Sequence, residues 1–249
     1  MRASRAISVA PSEPIYQDEQ VRLYNAEWEE IREELPEVDA IICDPPYGQG
    51  TLDGYRTSRK TEDESGPHAG AEYEGWSARD VFRFVWGLAA RNRGWWFAMT
   101  SHDLIPAYEH AFDEIGLYRF APISIVFPAN PRFAGDGPCS QTVYGMVARP
   151  KESRFLGWGS LPGSYSVPTR GTGSGRGKPY DLMLKIVCDY SREGMTVLDP
   201  FSGSGMTGRV AKDACRNVIL VERDKKVAAE SVSILKARRA WQQSLIGGT

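Results

Sequence analysis

The chain has 249 residues, of which 41% are hydrophobic and 25% charged, and its formal net charge is −2. That is enough apolar content for a substantial core in one domain or two, and a near-neutral total leaves room for a local basic face, on which nucleic-acid binding depends. Four widely spaced cysteines (Cys43, Cys139, Cys188, Cys215) with no CxxC pair, and three scattered histidines, exclude a disulfide framework and a zinc site and predict a reducing cytoplasm.

No internal repeat of fixed period is present. Met1 to Pro14 holds two arginines but no apolar segment long enough for a signal peptide, and no run approaches the ~18–20 apolar residues of a membrane span. A soluble, cytoplasmic protein is expected. Val21 to Tyr24 alternates as a short strand, and Ala26 to Leu35 carries helical spacing ended by Pro36. Val38 to Cys43 is a nearly continuous apolar run, as in a parallel strand covered on both faces. Gln49 to Gly75 is polar and glycine-rich and reads as a mobile loop.

Ser77 and Asp80 form a capping box that opens a helix through Asn92. Gly94 to Thr100 returns to strand, and Asp103 to Ile115 is a helix closed by Gly116. Tyr118 to Phe127 and Thr142 to Ala148 are strands around a turn-rich segment, Pro128 to Gln141, and are placed to pair antiparallel. Arg149 to Lys178 is the least regular stretch. Pro179 opens a helix through Tyr190. Met195 to Asp199 is a strand, Gly203 to Lys212 a glycine-opened helix, Asn217 to Val221 a strand and Asp224 to Gln242 a final amphipathic helix. The alternation predicts an α/β doubly wound, mostly parallel sheet with an antiparallel edge.

Two strand ends carry chemistry. In Ile41-Ile42-Cys43-Asp44-Pro45-Pro46-Tyr47-Gly48 the prolines cannot donate to a ladder, so the strand stops at Asp44. A carboxylate, a backbone carbonyl and a flat ring are left at the lip of the sheet, suited to a planar amine. The second end is Val197-Leu198-Asp199-Pro200-Phe201-Ser202-Gly203-Ser204-Gly205, a strand running through a glycine turn into a helix. Asp199 before the glycines would repel a pyrophosphate but hold a cationic amino-acid moiety. Glu222, about 20 residues on, suits a ribose diol. Zwitterion plus ribose describes S-adenosylmethionine better than a dinucleotide. The bland alternatives are a strand-ending turn with a surface tyrosine, a helix-capping Asp199 and a solvated Glu222.

Together the two motifs resemble the amino-methyltransferases of DNA (adenine-N6 and cytosine-N4). The catalytic motif precedes the cofactor motif, as in the permuted beta class. Gly177 to Leu182 resembles that group's lysine-proline segment, and Pro131 to Pro138 is similar to a stretch in small solitary phage and prophage enzymes. The resemblance implies a Rossmann-like methyltransferase fold with a mostly parallel seven-stranded sheet, an antiparallel edge strand and permuted motif order. It implies one methyltransferase domain over 16–248, a target-recognition insert at 128–178 and a flexible tail at 1–15.

The cofactor implied is S-adenosyl-L-methionine and the partner double-stranded DNA, with no metal and no membrane. Asp44, Pro45, Pro46 and Tyr47 are the expected catalytic residues. Asp199, Pro200, Phe201, Gly203, Gly205, Thr207, Glu222, Lys178, Pro179, Asn25 and Cys43 are expected around the cofactor, and Arg56, Arg59, Lys60, Arg132, Arg154, Arg170 and Arg176 on DNA. Asn25 departs from the family's usual Asp, and Arg176 stands near a position where the family often has histidine. A recognition segment this short predicts help from a second subunit, as in a homodimer, or from Gln49 to Gly75.

In the reaction so implied, Asp44 and the Pro45 carbonyl accept both N–H groups of an exocyclic amine on a flipped-out base, Tyr47 stacks on that base, and the methyl group passes directly. An initial Asp in the motif favours adenine-N6. Cytosine-N4, RNA or protein-amide transfer, or a catalytically silent cofactor- or DNA-binding subunit, are the alternatives. The Pro138-Cys139 pair suggests carbon-5 cytosine chemistry, but the motif order and the lack of a following Glu-Asn-Val count against it, and Cys139 is expected to be a turn or packing residue.

Overall fold

The structure is a computed structural model that describes residues 13–57, 74–128, 132–134, 137–155, 157–167 and 178–236. Its strands are β1 (Tyr16–Gln17), β2 (Val21–Tyr24), β3 (Val38–Cys43), β4 (Asn92–Thr100), β5 (Tyr118–Arg119), β6 (Ile123–Val126), β7 (Arg132–Ala134), β8 (Gly137–Ser140), β9 (Thr142–Arg149), β10 (Ser164–Ser166), β11 (Thr196–Asp199) and β12 (Asn217–Val221). Its helices are α1 (Trp28–Ile31), α2 (Gln49–Thr57), α3 (Ala78–Ala89), α4 (Ile105–Glu114), α5 (Tyr180–Tyr190), α6 (Met206–Asp213) and α7 (Lys225–Lys236).

Ten strands form one sheet in the order β1-β2-β12-β11-β3-β4-β9-β6-β10, with β5 also on β9, and β7 pairs β8 apart from it. From β2 to β4 all pairings are parallel. The expected seven strands are the run from β2 to β6, and β1, β5 and β10 are short additions to it. The rim strand β1 is antiparallel to β2. The other antiparallel strand, β9, lies one place further in than expected, between β4 and β6. It returns without a crossover helix, and only an antiparallel strand can do so over a short connection.

Alternate residues of the central strands feed two cores. Ala40, Ile42 and Phe97 face α5, α6 and α7, whereas Ile41, Cys43 and Trp96 face α1, α3 and α4. The helices that follow β11 and β3 therefore cover opposite faces of the sheet. The crevice between those two strand ends is the topological switch point, where open α/β sheets bind ligands.

Several sequence expectations change. Gln49 to Thr57 is a helix, not a loop, because Asp103 receives the backbone N–H and the hydroxyl of Thr51 at 3.1 and 3.0 Å, a contact no local pattern displays. The expected strand from Tyr118 to Phe127 breaks into β5 and β6 around Pro122, which has no N–H to donate. The helix expected over Ala26 to Leu35 is a single turn. The segment Pro128 to Gln141 contains the β7–β8 hairpin. Residues 58–73 and the end of the last expected helix lie outside the described residues. Among those described, no helix is long and apolar enough to cross a membrane.

The β3–β4 pairing slips between Val38 and Ala40, so that Asp39 faces both Arg93 and Gly94. A Cβ on Gly94 would stand 1.7 Å from the Asp39 carbonyl oxygen, a backbone atom that cannot rotate away. The Asp39 carboxylate also accepts the Thr196 N–H at 2.9 Å, tying this bulge to β11. Gly94→Ala is expected to destabilise the protein by about 1–3 kcal/mol, read as a lower urea midpoint with an unchanged slope.

Candidate active site

Because β2, β12, β11 and β3 run parallel, Asn25, Glu222, Asp199 and Asp44 all stand at the carboxyl edge of the sheet. Asp199 ends β11, and its Oδ1 accepts the Phe201 N–H at 3.0 Å. Gly203 and Gly205 take the left-handed backbone (φ +49° and +80°) that turns the chain into α6. Glu222 braces this loop from the next strand, accepting the Gly203 N–H at 2.8 Å and the Asp224 N–H at 2.9 Å. Phe201 is wedged edge-on against Trp76 and Phe84, with centroids 5.3 and 5.2 Å away. Ser202 Oγ is buried with no hydrogen-bond partner.

The electrostatics of this pocket favour a cation. Burial pushes the Asp199 carboxyl up to about 7; its bonds from Thr207 and the Phe201 N–H oppose the rise, and the negative fields of Asp44 and Glu222 add to it. Burial raises Glu222 as well. The Cys43 thiol is pushed well up by burial first and then by Asp199 and Asp44. A buried acid poised near neutrality beside two further carboxylates gains most from an incoming ammonium group. These residues therefore fit the amino-acid end of S-adenosylmethionine, with Glu222 at the pocket wall where a ribose diol would lie.

Two expected cofactor contacts have other work. The Asn25 amide donates to the carbonyls of Glu222 and Arg223 at 2.8 and 3.0 Å, fixing the end of β12. Cys43 is 1% exposed and forms part of the core behind the crevice.

Lys178, expected at the cofactor, instead reaches the acceptor motif. It stands just before Pro179, the N-cap of α5, and its ammonium lies 2.7 Å from Asp44 Oδ2 and donates to Tyr47 Oη at 2.9 Å. The other oxygen, Asp44 Oδ1, is buried and has no hydrogen-bond partner among the described residues. Beneath it lies Tyr108, fully buried, with its hydroxyl unpaired. Burial raises that phenol well above its ordinary value, and the fields of Cys43, Asp44 and Tyr47 add to the rise.

Tyr47 is only 5% exposed and packs into the core. Its carbonyl accepts the Trp76 N–H at 2.9 Å, and Gly48 N–H donates to Ser101 Oγ at 2.9 Å. A Cβ on Gly48 would be 2.3 Å from Asp103 Oδ2, so the chain leaves the motif directly over that carboxylate. Burial alone would raise Asp103, but hydrogen bonds from Ser101 and Thr51 outweigh it and hold the carboxyl below its usual value. Trp76, Ser101 and Asp103 thus clamp the motif. They were not singled out from sequence because each acts across a long chain separation.

The expected DNA-contacting residues divide. Arg154 pairs with Glu152 at 3.3 Å and lies 5.2 Å from the centre of the Phe155 ring, which meets Trp95 near the start of β4. Arg149 sits among Trp95, Tyr118, Phe120 and Phe155. This cluster is at the amino ends of the parallel strands, and about five residues of β4, or ~16 Å, separate Trp95 from the acceptor motif. The structure does not bring Arg154 to the site. Arg132 lies in the hairpin joining β6 to β9 at the carboxyl edge, and Arg56 in α2 just after the motif. Arg59, Lys60, Arg170 and Arg176 lie outside the described residues.

The raised Asp199 carboxyl carries a stability signature. The unfolded acid ionises above its ordinary value of 3.8, whereas the buried one stays protonated to about 7, so its burial costs stability progressively as pH rises between those values. Without ligand, Asp199→Asn is expected to melt above the parent at about pH 8, with the difference vanishing near pH 4. Calorimetric melting of both proteins across that range checks it.

The family described as DNA methylase, N6_N4_Mtase, matches residues 172–233, which span the cofactor loop. The type II methyltransferase M.HinfI of Haemophilus influenzae is 47% identical over 49 residues, 20% of this chain but only 14% of that relative's length. The M1.HpyAVI–SAM complex superposes with a TM-score of 0.65 at 22% identity, over 87% of this chain and 100% of that one. The cytosine-N4-specific PvuII DNA methyltransferase superposes with a TM-score of 0.66 at 14% identity, over 94% of this chain and 93% of that one. These two structures share the fold. Over the matched segment, which holds the cofactor loop, the chain is similar to DNA methylases of the amino-methyltransferase family.

Proposed function

We propose that the protein is a DNA methyltransferase that transfers a methyl group from S-adenosyl-L-methionine to the N6 amino group of adenine in double-stranded DNA. The observation that carries the reading is the juxtaposition, across the β3–β11 crevice, of an unpaired Asp44 oxygen with the buried Asp199 pocket. When bound, the cofactor supplies an electrophilic methyl group on a sulfonium. Asp199 holds its ammonium, Glu222 faces its ribose, and the Phe201–Gly205 loop lets the backbone approach closely.

The acceptor half works on the amine. An exocyclic amino nitrogen is a poor nucleophile because its lone pair is delocalised into the base. Asp44 Oδ1 accepting one N–H and the Pro45 carbonyl the other would draw that lone pair out towards the methyl. As the N–CH₃ bond formed, the bond from the methyl to the sulfonium would break with its electron pair left on sulfur, and the proton shed by the nitrogen would pass to solvent. The base must leave the duplex to reach this depth. Since Tyr47 is buried, its present neighbours must give way before a base stacks on it, a contact contributing ~1–3 kcal/mol.

With Arg154 at the far end of the sheet, the DNA contacts fall to Arg132 and Arg56 and to Arg59, Lys60, Arg170 and Arg176. That is a short set for one duplex, and a homodimer would supply the rest. Adenine is favoured by the initial Asp of the motif. Cytosine-N4 stands as the second reading because the same acceptor pair serves either exocyclic amine.

The test incubates the protein with plasmid DNA and labelled cofactor, then maps modified bases by single-molecule sequencing. Methylated adenine within one short sequence is expected, with Asp44→Ala reduced about 100-fold or more. Methylated cytosine alone would establish the second reading. No modified base, or an equally active variant, would remove both.

A further inference from the structure

We infer that Lys178 is a positioning residue for the acceptor carboxylate: its ammonium clamps Asp44 Oδ2 to Tyr47 Oη and fixes the rotation in which that carboxylate meets the amine. The geometry distinguishes this from the cofactor contact expected from sequence. The ammonium is 2.7 Å from Asp44 Oδ2 and 2.9 Å from Tyr47 Oη. It also lies over the Tyr47 ring, 5.2 Å from its centre. One cation thus satisfies a carboxylate oxygen and a phenol oxygen contributed by the same four-residue motif. The remaining carboxylate oxygen is buried and unpartnered.

A carboxylate with two free oxygens can rotate and offer either to solvent. Holding Oδ2 with a charge-assisted bond fixes the rotation and aims Oδ1, the preorganisation that transition-state geometry rewards. The tether is itself constrained. Pro179 caps α5 with φ −57°, and α5 buries Leu182, Met183, Ile186, Val187 and Tyr190 in the core. Lys178 therefore projects from a fixed point, while Asp44 and Lys178 keep 33% and 22% side-chain exposure. At that exposure an ion pair gives a modest coupling that a double-mutant cycle resolves, and its main value lies in orientation. The target amine is taken from the proposed function, but the partnership of Lys178 with Asp44 is not.

The test compares Lys178→Met and Lys178→Arg with the parent in three measurements. Cofactor affinity is taken by calorimetry on the protein without DNA. Steady-state methylation is measured on the DNA that the mapping experiment identifies. Melting is recorded for a double-mutant cycle with Asp44→Asn. Lys178→Met is expected to lower kcat about tenfold or more while leaving cofactor Kd within about threefold, with Lys178→Arg recovering most of the loss. The melting shifts of Lys178→Met and Asp44→Asn should be non-additive, since the two groups share one interaction.

A tenfold weaker cofactor Kd with kcat intact at saturation, or additive melting shifts, would overturn the inference and return Lys178 to the cofactor. If the parent methylates no DNA, the proposed function fails. Cofactor affinity and the melting cycle then still decide which partner Lys178 serves.

Discussion

A parallel sheet that sets the ends of β3 and β11 side by side must bury acids close together, and the rest of the site answers that constraint. Asp199 is fully buried, and the fields of Asp44 and Glu222 add to the effect of its own desolvation. The protein offsets this only in part. Backbone N–H groups of the glycine loop go to Asp199 and Glu222, and Lys178 goes to Asp44. What is left unbalanced is a cavity edge that favours positive charge, the form the amino-acid end and the sulfonium of the proposed cofactor would bring. The desolvation that raises the Asp199 carboxyl and the site's preference for a cationic ligand thus have one cause.

The two ends of the sheet divide the labour. At the amino ends, Arg149 is packed among four aromatic rings, and Arg192 lies 3.8 Å from the centre of the Trp158 ring. Cations there sit against aromatic surface, Arg149 half-buried and Arg192 exposed over its ring. At the carboxyl edge, by contrast, Lys178 is held by directional partners, Asp44 Oδ2 and Tyr47 Oη. A basic residue in the stretch after β9 therefore means different things at different positions, and charge counting along Arg149 to Lys178 merges the two ends of the molecule.

Most of the sheet was legible because it is written in short range. The apolar run Val38 to Cys43, the strand stop at Asp44, the Ser77–Asp80 capping box and the Gly203–Gly205 turn each express their structure within a few residues. What escaped was set by distant partners. The helix at Gln49 depends on Asp103, and the lysine of the segment before α5 serves Asp44, 134 positions away, rather than the adjacent cofactor loop. The family pattern groups Lys178 with the cofactor motif because the two are neighbours in sequence. In space, the crevice between β11 and β3 makes the acceptor motif an equally close neighbour.

That geometry bears on why the acid of the motif is followed by two prolines. Neither Pro45 nor Pro46 has an N–H, so neither can donate to the Asp44 carboxylate from the residues immediately downstream. The backbone N–H that typically satisfies such a carboxylate at a strand end, as Phe201 does for Asp199, is absent by construction at Asp44. One oxygen is consequently held by a side chain from another element and the other by none of the described residues. A prolyl pair thus does two jobs: it stops the strand, and it keeps an acceptor unfilled at the place where a donor amine would have to arrive.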